Sequence, residues 1–103
     1  MYQITYLVDW RSRESGDEAH ATLIPRAIDR WEELAPDGAR AYVARCSDTQ
    51  TIWTSLFPTS DGITDDPSRT RFRRVVLTIA KEFMSQSEPV IFEGPVVESR
   101  TRG

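Results

Sequence analysis

The sequence is poor in lysine, cysteine and histidine. Only one of its 13 basic residues is lysine, Lys81, and this arginine bias is typical of a GC-rich bacterial genome. The single cysteine, Cys46, has no second thiol within the chain. This excludes an internal disulfide and favours a reducing compartment, so we expect a cytoplasmic protein. The net charge of −3 argues against nucleic acid as a partner.

Long apolar runs and ligand motifs are also missing. No apolar stretch approaches the roughly 18 residues of a membrane span, and the N-terminal residues lack the basic and apolar regions of a signal peptide. The lone histidine, His20, and Cys46 have no recognised metal-ligand spacing. Asp61, Asp65 and Asp66 do not follow a calcium-loop pattern. Because phosphate loops and nucleophile motifs are absent too, we expect no metal, no cofactor and no membrane partner.

What the chain does contain suits one small core. It has 103 residues, of which 39% are hydrophobic and 28% charged, which excludes a disordered polar chain. Residues 1–98 are therefore predicted to form a single α+β domain, followed by a flexible tail at 99–103.

Four segments are predicted to be strands. Residues 2–10 alternate, with Tyr2, Ile4, Tyr6, Val8 and Trp10 on one face and Leu7 as the exception. Residues 39–46 and 51–57 read as two strands joined by a short hairpin loop. Residues 89–97 form the last strand, where Gly94 and Pro95 indicate a bulge or a sheet edge.

Two helices lie between these strands. In the first, apolar residues recur at helical spacing, namely Ile24, Ala27, Ile28, Trp31, Leu34 and Ala35. Pro25 leaves its start open: the helix begins late with Thr22 as N-cap, begins at Asp17 with a kink, or follows a short strand at 20–24. We favour a helix that extends back to His20. The second helix begins at Asp66 as N-cap with Pro67 at the first helical position.

The order strand, helix, strand, strand, helix, strand predicts a ferredoxin-like α+β fold (βαββαβ). Two helices with one apolar stripe each would cover one face of a four-stranded antiparallel sheet. The other sheet face would stay open. Because the first and last strands carry apolar groups on both faces, we expect a homodimer joined through the sheet faces.

This element order and length resemble the dimeric α/β-barrel superfamily, over residues 1–97. The similarity is strongest to the antibiotic-biosynthesis-monooxygenase type, in which a tryptophan often lies in the third strand, as Trp53 does within Ile52-Trp53-Thr54-Ser55. The resemblance implies a sheet-to-sheet dimer and a pocket between helices and sheet. It also implies oxidation of aromatic substrates without metal or flavin. Gln50 is the nearest amide where that type often has asparagine, and the second helix lacks the histidine of haem-degrading members.

Five residues are candidates for a site. His20 is the only side chain with an unperturbed pKa near neutrality and would act as general base, although a lone histidine at a helix start is more often exposed or capping. Arg69 borders the apolar stripe of the second helix and would reach an anion or enolate, whereas a solvated role is the alternative. Trp53, Tyr6 and Tyr42 would line an aromatic cavity or fill the core and the dimer interface.

Two functions follow. The first is a small pocket enzyme, a cofactor-independent monooxygenase acting on an aromatic or polyketide-like molecule. His20 or water would remove a proton, Arg69 would stabilise the oxyanion, and the three aromatic residues would hold the ring. The second is a non-catalytic ligand-binding or assembly module whose pocket is filled by its own aromatic side chains. An open cavity beside His20 and Trp53 would favour the enzyme.

Overall fold

The computed structural model describes residues 1–9, 22–47, 50–59, 66–83, 90–100 and 102. Within these ranges the chain forms four strands and two helices in the predicted order. Trp10, His20 and the loop between them lie outside the described residues. The elements are β1 (Tyr2–Asp9), α1 (Ile24–Leu34), β2 (Arg40–Arg45), β3 (Gln50–Phe57), α2 (Asp66–Phe83) and β4 (Val90–Pro95).

The four strands form one antiparallel sheet in the order β2-β3-β1-β4. The two central strands pair over their full length, from Tyr2 opposite Phe57 to Asp9 opposite Gln50. With both helices on one side, this is the ferredoxin-like α+β fold that the element order predicted. The edge position foreseen for the last strand is confirmed, since β4 pairs with β1 alone.

Alternation along the central strands separates two sheet faces. Every second residue of β1 is buried against the helices, and β3 alternates in the same way. The helices add their apolar stripes to this core. The core consists of Tyr2, Ile4, Tyr6, Val8, Ile24, Ala27, Trp31, Trp53, Phe57, Phe72, Val75, Val76, Ile79 and Ala80.

The first helix begins late, at Ile24. Pro25 lies in its first turn, where the missing N–H removes no helical hydrogen bond. The N-cap is Leu23 and makes no side-chain capping bond, so the alternative with Thr22 as N-cap is wrong by one residue. Thr22 and Leu23 form a π-helical turn before the α-helix, and the favoured extension back to His20 falls outside the described residues. The helix ends at Leu34, and the chain turns through Gly38, whose φ of 85° lies in the left-handed region that favours glycine. Within the described ranges, no helix is long and apolar enough to cross a membrane.

Candidate functional site

The predicted aromatic residues Tyr6 and Trp53 meet on the helix-facing side of the sheet. They are cross-strand partners in β1 and β3, and their rings stack with centroids 5.9 Å apart and an interplanar angle of 21°. Both side chains are 0% exposed. The indole Nε1 of Trp53 donates to Oγ of Ser55 at 3.2 Å, also within the core. This pair fills space in the core.

Tyr42 lies on the opposite face of the sheet. It pairs with Thr54 in β3, one residue beyond Trp53, and successive residues of a strand point to opposite faces. Its side chain is 56% exposed. The structure therefore brings Tyr6 and Trp53 together and separates Tyr42 from both within one chain. His20 falls outside the described residues.

Two polar atoms of the core lack a partner among the described residues. One is the hydroxyl of Tyr6 and the other is Nε1 of Trp31, whose side chain is also buried. Burial raises the pKa of Tyr6, so the hydroxyl stays a neutral donor. A buried donor without an acceptor costs about 1–3 kcal/mol. Each atom is therefore a place where a ligand oxygen or a water would be stabilised.

Replacing Tyr6 with phenylalanine tests this directly. The ring would keep its stacking on Trp53 while the unpartnered hydroxyl is removed. We expect the free energy of unfolding to rise by about 1–3 kcal/mol, measured by urea unfolding at neutral pH. Tyr42→Phe, which removes an exposed hydroxyl, is the control and should change it by less than about 0.5 kcal/mol. A loss of stability in Tyr6→Phe would mean that this hydroxyl has a partner.

A polar cluster of Tyr2, Arg73 and Glu93 lies at the start of β1. Oε1 of Glu93 in β4 accepts a hydrogen bond from the guanidinium of Arg73 in α2. The hydrogen bond from Arg73 lowers the pKa of Glu93, and the Tyr2 hydroxyl and the charge of Arg69 act in the same direction. Burial, followed by the nearby Glu93, raises the pKa of Tyr2. Oε2 of Glu93 is buried and lacks a hydrogen-bond partner in the described part of the chain.

Arg69 thus lies near Tyr2 and Glu93. Tyr2 is four residues from Tyr6, which corresponds to about 13 Å along a strand. Arg69 is half-buried, as expected for a residue at the border of the apolar stripe of α2. Sequence reasoning missed Glu93, although a single carboxylate inside an apolar strand was a usable signal. The strand register could not be read from the sequence. It is the pairing of Glu93 with Ile4 that places Glu93 on the helix-facing side of the sheet.

The Glu93 contact predicts a pH-dependent contribution to stability. Because the folded-state pKa of Glu93 is lowered, its stabilisation is present above the ordinary value of 4.5 and is lost as the pH falls through the folded-state value. Glu93→Gln should therefore reduce the urea midpoint at pH 7 and have a progressively smaller effect on it as the pH falls below 4.5. Glu32→Gln removes an exposed carboxylate of α1 and controls for net charge. If Glu93→Gln lowered the urea midpoint equally at pH 7 and at a pH well below 4.5, the ionic contact would be contradicted.

The open sheet face presents apolar side chains from all four strands among the described residues. Leu7, Ile52 and Leu56 lie half-buried along its two central strands. Phe92 and Val90 of β4 are 68% and 59% exposed, and Tyr42 of β2 lies at the other side. At its centre Thr5 and Thr54 are within hydrogen-bond distance, 3.3 Å. Such a face is unusual for a surface that stays in water.

A metal site is not evident in the described ranges. No group of three or more histidine, cysteine, aspartate or glutamate residues there is arranged to hold a metal ion. Cys46 is exposed at the end of β2. The fold and its two faces define a small ferredoxin-like α+β protein. Neither a family model, nor a curated protein, nor a solved structure matches the chain.

Proposed function

We propose that this protein is a homodimeric assembly module in which two copies pack through their open sheet faces. The observation that carries this proposal is the exposure of Phe92, Val90 and Tyr42 on one continuous surface with Leu7 and Ile52. Burial of apolar surface contributes about 25 cal/mol per Å². A surface of this kind therefore favours association over exposure to water.

The small number of charges on the open sheet face favours a second copy of this chain as its binding partner. Among the described side chains, the strand registers place only Arg40 as a charged residue on this face, at the end of β2. A nearly uncharged surface does not select a strongly acidic or basic partner. Two identical apolar faces are complementary to each other under a two-fold axis, which is the commonest symmetry of soluble oligomers.

The size of the face agrees with such an interface. With strands about 4.8 Å apart and a rise of about 3.3 Å per residue, four strands cover roughly 20 by 25 Å. This projected area of about 500 Å² is of the same order as the roughly 800 Å² per partner of a standard protein interface.

Sedimentation velocity over a concentration series tests the proposal. We expect the unmodified protein to sediment as two chains at micromolar concentration and to dissociate on dilution. Association through apolar surface should persist at high salt, because screening weakens charge contacts only. A single 11.8 kDa chain at every concentration would overturn the proposal.

A second candidate function is binding of a small aromatic molecule between the helices and the sheet. The observation that favours it is the buried Tyr6 hydroxyl without a partner among the described residues. A ligand oxygen would accept from this hydroxyl, and the neighbouring Trp53 ring would contact the ligand if the core opens. Binding of this kind is the first step that oxygenation of an aromatic substrate requires.

Titration with a hydroxyaromatic probe such as 1-naphthol tests this second candidate. We expect saturable quenching of tryptophan fluorescence and a Kd raised roughly tenfold in Tyr6→Phe, because one hydrogen bond is lost. Oxygen uptake with the bound probe would then support the oxygenase. Equal affinity of Tyr6→Phe and wild type, or non-saturable quenching, would overturn the assignment of Tyr6 to a binding site.

A further inference from the structure

Two grooves flank Arg74 on the outer side of α2. The larger, of about 360 Å³, is lined by Thr70, Arg73, Arg74, Leu77, Thr78 and Lys81. The smaller, of about 180 Å³, lies between the end of α1 and α2 and is lined by Leu34, Arg71, Arg74, Val75 and Thr78. Arg74 and Thr78 belong to both linings. The Arg74 side chain therefore lies between the two neighbouring grooves.

Among the residues that the structure describes, the linings of both grooves contain cations and no carboxylate. Arg73 is held by Glu93, and the guanidinium of Arg71 lies 5.6 Å from the centroid of the Phe72 ring. Arg74 and Lys81, in contrast, have no ion-pair partner among the residues the structure describes. Arg74 is exposed, and the hydrogen bond from the Thr78 hydroxyl goes to its backbone carbonyl.

This concentration of charge is unfavourable for the isolated helix. Arg69, Arg71, Arg73 and Arg74 lie in the first turns of α2, where positive charge opposes the helix dipole. Arginines three and four residues apart also repel each other. In a chain of net charge −3, the exposed Arg71, Arg74 and Lys81 leave positive charge on the outer side of α2. A negatively charged partner would relieve both costs.

Each groove adds an apolar contact beside the charge. Leu77, in the larger groove, is 39% exposed, and the half-buried Leu34 supplies apolar surface in the smaller one, above the buried Val75. An arginine between two apolar depressions is the composition of an interface hot spot. The occupant that fits is one carboxylate with an apolar side chain on either side.

We propose that this surface binds an acidic amphipathic helix of a partner protein. A glutamate or aspartate of that helix would pair with Arg74, and apolar residues one turn before and after it would enter the two grooves. Side chains three and four residues apart on a helix are about 5–6 Å apart, which suits neighbouring depressions on one side of α2. A flat anionic membrane surface would pair with Arg74 but leave the recessed apolar contacts unfilled.

The test uses a designed helical peptide of about 15 residues with a Leu-x3-Glu-x3-Leu face, labelled for fluorescence anisotropy. We expect saturable binding to the wild-type protein and a Kd raised at least tenfold by Arg74→Glu. Arg26→Glu is the matched control, since it makes the same charge change on the exposed side of α1 and lines neither groove. It should change the Kd less than about twofold.

Several outcomes would overturn the proposal. These are the absence of saturable binding, equal weakening by Arg74→Glu and Arg26→Glu, or equal affinity of a peptide in which the central glutamate is replaced by glutamine. Binding to vesicles containing phosphatidylglycerol, lost in Arg74→Glu, without binding to the peptide would assign the surface to a membrane instead. Circular dichroism and thermal melting of both variants verify that the fold is retained.

Discussion

Replacing Trp53 with alanine is expected to lower the free energy of unfolding by about 3–5 kcal/mol. The side chain is fully buried, stacks on Tyr6 and donates to Ser55, so the substitution removes apolar contacts, leaves a cavity and breaks a hydrogen bond. Domains of this size are stable by only about 5–15 kcal/mol. Urea unfolding followed by far-UV circular dichroism measures the change without relying on tryptophan fluorescence.

Trp53→Phe serves as the matched variant. It retains an aromatic ring against Tyr6 but loses the indole N–H and part of the volume. We expect Trp53→Phe to lower the free energy of unfolding by less than Trp53→Ala does. A Trp53→Ala loss below about 1 kcal/mol would contradict a closed core. It would instead indicate open space around this side chain, as the small-molecule-binding function requires.

Replacing Phe92 with aspartate is expected to weaken self-association by about thirtyfold or more. Phe92 is the most exposed aromatic residue of the described open face, at 68%, and a charge there would be buried without a partner in the proposed dimer. Because the side chain contacts water in the single chain, the fold itself should be little affected. Sedimentation equilibrium at several concentrations gives the dissociation constant.

Leu77→Asp is the control for this variant. It places the same charge at an exposed leucine on α2, away from the sheet. We expect it to leave the dimer unchanged. If both variants dissociate the dimer equally, the effect would come from net charge. If only Leu77→Asp does so, the helix layer would be the interface between copies.

The order and faces of the elements could be predicted from local patterns. Alternation in β1 identified Tyr2, Ile4, Tyr6 and Val8 as one face, and all four are buried. The helical spacing of Trp31 placed it in the core, where the structure has it. Each of these patterns depends on the geometry of one element, which the residues of that element determine.

Register between strands could not be predicted in this way. Tyr42 and Trp53 lie on different strands, and only the pairing of Tyr42 with Thr54 reveals that they face opposite sides. The Glu93 cluster likewise depends on contacts between β4, β1 and α2, which are distant in sequence. The Pro25 position allowed several helix starts, and the choice required the observed backbone.

The most direct test of the proposed dimer is an isotope-filtered NMR experiment on a mixture of labelled and unlabelled protein. It detects contacts between copies separately from those within one chain. We predict intermolecular contacts from the methyl groups of Leu7, Ile52 and Leu56 to the rings of Phe92 and Tyr42. A mixture with no intermolecular contacts, or with contacts confined to Leu77 and its neighbours on α2, would contradict packing through the open sheet faces.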